Sequence, residues 1–279
     1  MAYRREKYPD TGERPWLDRP DAEQAIAAKR AAGELTDEQA RQLQHWTREG
    51  YVILKDILDS DACEAINADV QKVYDENCHR PFPELKMKFQ DMYPDSASTR
   101  QAMVHPPLLE WLDLILGVPA LPFQTLNLPK SSQQGAHSDE ILMTTNPPGF
   151  MLAAWYALED VHDDAGPLAI LPTSHRYPYV GAQEIGIPVG ASEEEASRIF
   201  DSAYYERMGQ VVADSDVKPV PFLAKQGDVL VWHSNLLHGA HHTRREGATR
   251  KSLIIHYYGK GVETYSDLWQ KQNVMPGLR

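Results

Sequence analysis

Gln133-Gln134-Gly135-Ala136-His137-Ser138-Asp139-Glu140-Ile141-Leu142 is the stretch from which the rest of the chain is read. On an extended backbone, residues two apart leave the same face, so the His137 imidazole and the Asp139 carboxylate can converge on one ion. A third donor is offered about a hundred residues later by Gly227-Asp228-Val229-Leu230-Val231-Trp232-His233-Ser234-Asn235-Leu236-Leu237-His238-Gly239. Two imidazoles and a carboxylate on one side of a metal leave its other positions open for exchangeable ligands. Both stretches follow short β-like runs, which makes them neighbours in a double-stranded β-helix of the jelly-roll, cupin-like type.

The distal histidine has four candidates, His233, His238, His241 and His242. His238 is preferred, because Leu236-Leu237 anchors it to the core and Gly239 permits a turn beside the ion. His241 and His242 lie in an Arg-rich turn and are expected at solvent or at the rim of the site. His233, inside a strand, is expected in the core or behind the ligands. A His-x-Asp pair alone is a weak signal in a chain with eleven histidines, and ordinary hydrogen-bonded histidines are the bland alternative. The donor set is that of non-haem Fe(II) oxygenases. If the co-substrate is 2-oxoglutarate, chelation of iron through its keto-acid end leaves a second carboxylate for an Arg fork. Arg250, twelve residues after His238 and just before a strand, is placed for that role. Arg244 and Arg245 read as a solvated turn.

From Leu121 onward, short apolar stretches broken by Pro and Gly read as an all-β core. Strands are expected at Phe123 to Leu128, Phe150 to Leu158, Leu168 to Leu171, Asp228 to His233 and Ser252 to Tyr258, the last of them. Tyr177 to about Val217 is a polar insertion with an acidic helix at Ser192 to Phe200, and a segment of that length is expected to serve the site. Ahead of the β core, residues 1 to about 20 show no period and are expected to drape over the surface or fray. Asp21 to Ala32 reads as a helix. A second runs from the Thr36/Gln39 capping box to Arg48, closed at Gly50. Tyr51 to Leu54 is a strand, and Ala62, Ile66, Val70, Val73 and Tyr74 recur at helical spacing behind an Asp59 or Ser60 cap. Lys86 to Met92 has strand character, and Pro107 to Leu116 is a helix ended at Gly117. The expected division is an N-terminal extension over 1–35 and one domain over 36–279, helical to about 120 and β to about 260.

A net charge of −12 argues against nucleic acid and against an anionic membrane surface as partners. No apolar run is long enough to span a bilayer, and Met1-Ala2-Tyr3-Arg4-Arg5-Glu6-Lys7 lacks the apolar stretch of a signal peptide, so a cytoplasmic protein is expected. The two cysteines, Cys63 and Cys78, lack metal or disulfide spacing and read as reduced thiols.

Several ordered blocks together resemble the phytanoyl-CoA dioxygenase family of Fe(II)- and 2-oxoglutarate-dependent oxygenases, over about residues 44 to 260. The blocks are Trp46 to Leu58, His137-Ser138-Asp139, Ala154-Trp155-Tyr156-Ala157-Leu158-Glu159-Asp160, Gly166-Pro167-Leu168 with Leu171-Pro172-Thr173-Ser174-His175, and Gly227-Asp228-Val229 to His238-Gly239 with Arg250-Lys251. The resemblance implies that His137, Asp139 and His238 bind Fe(II) and that Arg250 binds the distal carboxylate of 2-oxoglutarate. It further implies that Trp155 walls the co-substrate pocket, that Asn127 hydrogen-bonds the co-substrate, and that Lys88 lies near the co-substrate or the substrate. O2 is the second co-substrate. Related halogenases replace the carboxylate by a small residue, so Asp139 points to hydroxylation or another oxidative outcome. Three departures stand out: Ala240 where relatives often carry Ser, a turn from His238 to Arg250 one residue longer, and Thr173 in place of the usual Gly.

The function expected is hydroxylation of an unactivated C–H bond of a small metabolite or natural-product intermediate. Lys86, Glu140, Met143, His175 and the insertion are the candidate substrate determinants; packing in the β core is the bland alternative for Trp155 and His175. A non-catalytic jelly-roll protein with a metal that merely orders its loop, and a cupin-type isomerase or hydrolase, are the rivals. A CoA thioester is not implied, because its phosphates would need a basic patch.

Overall fold

The computed structural model of the chain describes residues 13–77 and 89–272. Its helical half follows the caps written in the sequence. α1 (Ala22–Ala31) precedes α2 (Asp37–Glu49), which opens on a reciprocal Thr36/Gln39 capping box and closes on left-handed Gly50. β1 (Tyr51–Leu54) leads to α3 (Ser60–Asn77), where Asp59 Oδ1 accepts the first free N–H from Ala62 at 2.8 Å. β2 (Phe89–Gln90) follows, then α4 (Ala97–Met103) and α5 (Pro106–Leu116), the latter with Pro at its start and left-handed Gly117 at its end. The strand character read over Lys86 to Met92 is thus limited to two described residues.

Of the segment expected to drape over the surface or fray, residues 13–20 are described, and part of them is packed into the core. Trp16–Asp18 form a 3-10 turn, Leu17 is buried, and Trp16 Nε1 donates to Leu114 O at 2.9 Å. The turn is fixed because Trp16 packs where Gly117 lacks a side chain: a Cβ there would lie 2.8 Å from the indole.

The β half comprises β3 (Ala120–Leu128), β4 (Thr144–Asn146), β5 (Met151–Ala157), β6 (Leu168–Ile170), β7 (Val220–Phe222), β8 (Val229–His233), β9 (His238–Ala240), β10 (Ser252–Gly259), β11 (Glu263–Ser266) and β12 (Lys271–Gln272). Between β6 and β7 stand α6 (Glu193–Ile199), capped by Ser192, a π-helical turn at Phe200–Tyr204 and α7 (Tyr205–Ala213). β10 is not the last strand; β11 and β12 are too short and polar to show a two-residue period.

Six strands form one sheet in the order β1-β8-β5-β10-β3-β2, and β7-β6-β9 form a second; β12-β11-β4 form a third. The chain is therefore mainly β with flanking helices. In β5, successive residues alternate between two buried environments. Leu152, Ala154 and Tyr156 join the core shared with the helices, whereas Ala153, Trp155 and Ala157 pack toward Leu168, Ile170 and Phe222 of the small sheet. A strand buried on both faces loses the polar alternation of a surface strand, which is why β5 reads as one continuous apolar run. Among the described residues no helix is long and apolar enough to cross a membrane.

Thr173, one of the departures named from the sequence, has φ 69° and ψ −13° just before a 3-10 turn at Ser174–Arg176. A β-branched residue in the left-handed region costs roughly 1–2 kcal/mol, partly offset in a Gly replacement by unfolded-state entropy. Thr173→Gly is therefore expected to raise stability by about 0.5–1 kcal/mol, read as a higher urea midpoint.

Candidate metal centre

His137 and His238 face each other as a single antiparallel bridge. His137 N donates to His238 O at 2.8 Å, and His238 N donates to His137 O at 2.9 Å. Gly239 is what lets the two backbones approach, since a Cβ there would lie 3.0 Å from Gln134 O and 3.1 Å from Ala136 N. Gly239 thus lies inside β9 rather than in the turn expected of it, and the need is for closeness.

The two imidazoles are oriented from behind. His137 Nδ1 lies 2.9 Å from Gly135 O, and His238 Nδ1 lies 3.0 Å from Leu236 O. A carbonyl only accepts, so each Nδ1 carries the proton and each Nε2 presents a lone pair. Those Nε2 atoms lie 3.9 and 3.6 Å from Asp139 Oδ1, and the ligand atoms of the three residues all fall within 4.8 Å of one another. Asp139 Oδ2 accepts from Trp232 Nε1 at 2.9 Å. Burial opposes ionisation of Asp139, but in the acid range where the carboxyl titrates the protonated rings of His238, His256 and His137, with the Trp232 bond, outweigh it and hold the carboxyl below its usual range.

Arg250 is almost fully buried on the same cavity wall. Its Nη1 donates to Gly166 O at 3.0 Å and its guanidinium lies 5.7 Å over the Trp155 ring, while Nε has no partner. Burial lowers its pKa to about 10, so the side chain stays cationic at neutral pH. No described carboxylate pairs with it. A buried cation with an unmet donor is costly unless an anion completes it, so the arrangement fits a carboxylate ligand.

The cavity measures about 420 Å³, and the same wall carries His137, Asp139, His238, Arg250, Met143 and Trp269. The phytanoyl-CoA dioxygenase (PhyH) family model matches residues 46–252. The chain belongs to this family. The peroxisomal phytanoyl-CoA dioxygenase of Rattus norvegicus is 20% identical over 240 residues, 77% of this chain and 67% of that protein. Among solved structures, EctD from S. alaskensis with 2-oxoglutarate and 5-hydroxyectoine covers 99% of this chain and 96% of its own, at TM-score 0.63 and 18% identity. The 2-oxoglutarate-dependent carbocyclase SnoK from nogalamycin biosynthesis covers 84% and 88%, at TM-score 0.62 and 18% identity.

The remaining sequence candidates of this PhyH family member fall into three groups. Lys86 and Lys88 lie outside the described residues. Met143 lines the cavity, and Trp155 stands behind Arg250 rather than on the wall. Asn127, Glu140 and His175 are not brought to the cavity wall. Leu126 and Leu128 line it, so by strand alternation Asn127, although fully buried, leaves the opposite face of β3. Glu140 sits in the 3-10 turn Asp139–Ile141 and accepts from the Thr144 hydroxyl; burial raises its pKa.

His175 packs against Gly50, where a Cβ would lie 2.5 Å from its Nδ1, and its ring centroid is 5.7 Å from that of His233. Burial first, then the charges of His233 and Arg176, lower its pKa from 6.5 to about 3. The folded state therefore binds fewer protons than the unfolded state between those values, and stability falls as pH drops through that window. His175→Gln is expected to flatten the fall in urea midpoint between about pH 6.5 and pH 4, where one such group is worth at most about 1.4 kcal/mol per pH unit.

His256 escaped sequence reading. Its Nε2 lies 3.8 Å from Asp139 Oδ2 and it lines the cavity. The signal was a two-residue period: with Arg250 and Ile254 it shares the cavity face, and a step of two from Arg250 reaches it. Gln90, Asp91, Phe123, Gln124 and Trp269 also lie on this wall without having been singled out.

Proposed function

We propose that this chain is an Fe(II)- and 2-oxoglutarate-dependent dioxygenase that hydroxylates an unactivated C–H bond of a small-molecule metabolite or natural-product intermediate. The observation that carries the reading is the pairing, in one cavity, of a converging His137/Asp139/His238 set with Arg250, a buried cation whose Nε lacks a partner. The strand order supports a double-stranded β-helix in one oxygenase domain, with the insertion over 177–217. The absence of a long apolar helix among the described residues is compatible with a cytoplasmic location.

His137, Asp139 and His238 would hold the iron, and Arg250 would hold the distal carboxylate of 2-oxoglutarate. When bound, iron and 2-oxoglutarate supply O2-dependent oxidative decarboxylation to succinate and CO2, coupled to oxidation of the substrate. The protein's own work is orientation. Gly135 O and Leu236 O set the imidazoles, Trp232 sets the Asp139 carboxylate, and Gly166 O and the Trp155 ring set the guanidinium. Phe123, Met143, His256 and Trp269 supply the wall against which a substrate would lie. A cavity of this size suits a small molecule beside the co-substrate rather than a CoA thioester. SnoK is named a carbocyclase on a similar fold, so the fold alone does not select hydroxylation. The retained Asp139 carboxylate favours it over halogenation.

The test is a metabolite panel incubated with Fe(II), 2-oxoglutarate and O2. One product gaining a single oxygen atom, in step with succinate, is expected. A merely metal-ordered binding protein forms no succinate, and a cupin-type isomerase or hydrolase turns over without O2.

A further inference from the structure

The insertion from Tyr177 to about Val217 reads from sequence as a segment facing the substrate, yet its buried side chains converge on the metal centre from behind. α6 runs into the π-helical turn Phe200–Tyr204 and on into α7, and this widened turn sets two consecutive tyrosines against the loop bearing His137 and Asp139. Tyr204 is fully buried, and its hydroxyl oxygen accepts from Ser138 N at 3.0 Å. Ser138 stands between the two donors, so this bond fixes the backbone that aims both. The same hydroxyl donates to Ser138 O at 3.3 Å. Burial pushes the Tyr204 pKa up to about 12, which keeps its proton in place. Tyr205 accepts from Gln134 Nε2 at 2.8 Å, and its ring meets that of His137 edge-on, at 6.5 Å and 66°.

Apolar packing repeats the pattern. Ala136, Ile141 and Leu237 flank the three donors in sequence, and all three pack in one cluster with Phe200, Tyr204 and Met208. Every donor is thus tied through a near neighbour to the insertion. π-helical turns inside α-helices are rare and concentrate at functional sites, and here the turn presents the residues that grip the loop.

We infer that Tyr204 and Tyr205 are positioning residues of the metal centre, and that the helices over 193–213 buttress it, so that their docking and metal binding stabilise each other. The inference rests on the reading of His137, Asp139 and His238 as metal ligands. Linkage makes the effect reciprocal: a buttress that raises metal affinity is itself stabilised by the metal. Partners one step behind a ligand are worth about 10–100-fold in metal affinity.

Three measurements on the full chain test this, two of them with Mn(II) as a redox-stable probe. By calorimetry, Tyr204→Phe is expected to weaken Mn(II) binding about 10–100-fold and Tyr205→Phe by a smaller factor. Under turnover, Tyr204→Phe is expected to raise the Fe(II) requirement while leaving the KM for 2-oxoglutarate unchanged, a split that a general loss of folded protein does not produce. In the wild-type chain, which needs no variant to fold, Mn(II) is expected to slow hydrogen exchange over 193–213 more than over α1 and α2. Unchanged Mn(II) affinity in folded Tyr204→Phe, or exchange over 193–213 indifferent to the metal, overturns the buttress alone. If the wild-type chain and Asp139→Ala bind Mn(II) equally weakly, the ligand reading fails and the buttress with it.

Discussion

Asp139→Ala is expected to abolish Fe(II)-dependent turnover of 2-oxoglutarate, a loss of at least about a hundredfold, since even the partners of metal ligands are worth 10–100-fold. Asp139 is the one anion among the three converging residues, and without it two neutral imidazoles must hold a divalent cation alone. The same change strips Trp232 Nε1 of its acceptor, and leaving a buried donor unpaired costs about 1–3 kcal/mol. Asp139→Asn separates the two effects, because its amide oxygen still accepts from Trp232 while the charge is gone. Turnover lost in both variants, with the thermal midpoint lowered mainly in the alanine variant, is the pattern expected. Full activity in folded Asp139→Ala would remove the triad from the account.

Arg250→Ala is expected to raise the apparent KM for 2-oxoglutarate by roughly 10- to 150-fold, the equivalent of about 1.5–3 kcal/mol for a hydrogen bond to a charged group. The effect should fall on KM more than on kcat, because the distal carboxylate is bound alike in ground and transition states. Arg250→Lys is expected to recover little, since an ammonium reproduces neither the planar fork nor its stacking over Trp155. An unchanged KM in Arg250→Ala would assign the carboxylate to another cation.

The parts of this site that were legible in the sequence are those that local geometry decides. The spacing of His137 and Asp139 on extended backbone needs no tertiary information, and Leu236-Leu237 marked the segment that delivers His238. The structure brings these three together with Arg250 in one cavity. What escaped depended on parity and on register. Asn127 differs from its cavity-lining neighbours Leu126 and Leu128 only by a single step along β3, and a single step reverses the face. Glu140 follows Asp139 into a 3-10 turn, so the strand period that placed Asp139 no longer applies one residue later.

His256 reaches Asp139 because β10 pairs with both β3 and β5, with a register shift between His256 and Tyr257 on the β3 side. No sequence window contains that pairing. The helical half was more legible, since the Thr36/Gln39 box and Gly50 act through contacts three or four residues away. Trp16 and Leu17 were missed because their burial depends on α5, about a hundred residues on. Tyr204 and Tyr205 were hidden for the same reason, with the added difficulty that a π-helical turn changes which residues share a face.

The central claim is that the chain couples O2 to the oxidation of 2-oxoglutarate at His137, Asp139 and His238. Its most direct test is turnover under 18O2 in the presence of Fe(II), with the succinate read by mass spectrometry. One 18O atom is expected in each succinate formed by the wild-type chain, and no succinate from Asp139→Ala. Unlabelled succinate, or labelled succinate formed equally by both chains, would contradict it.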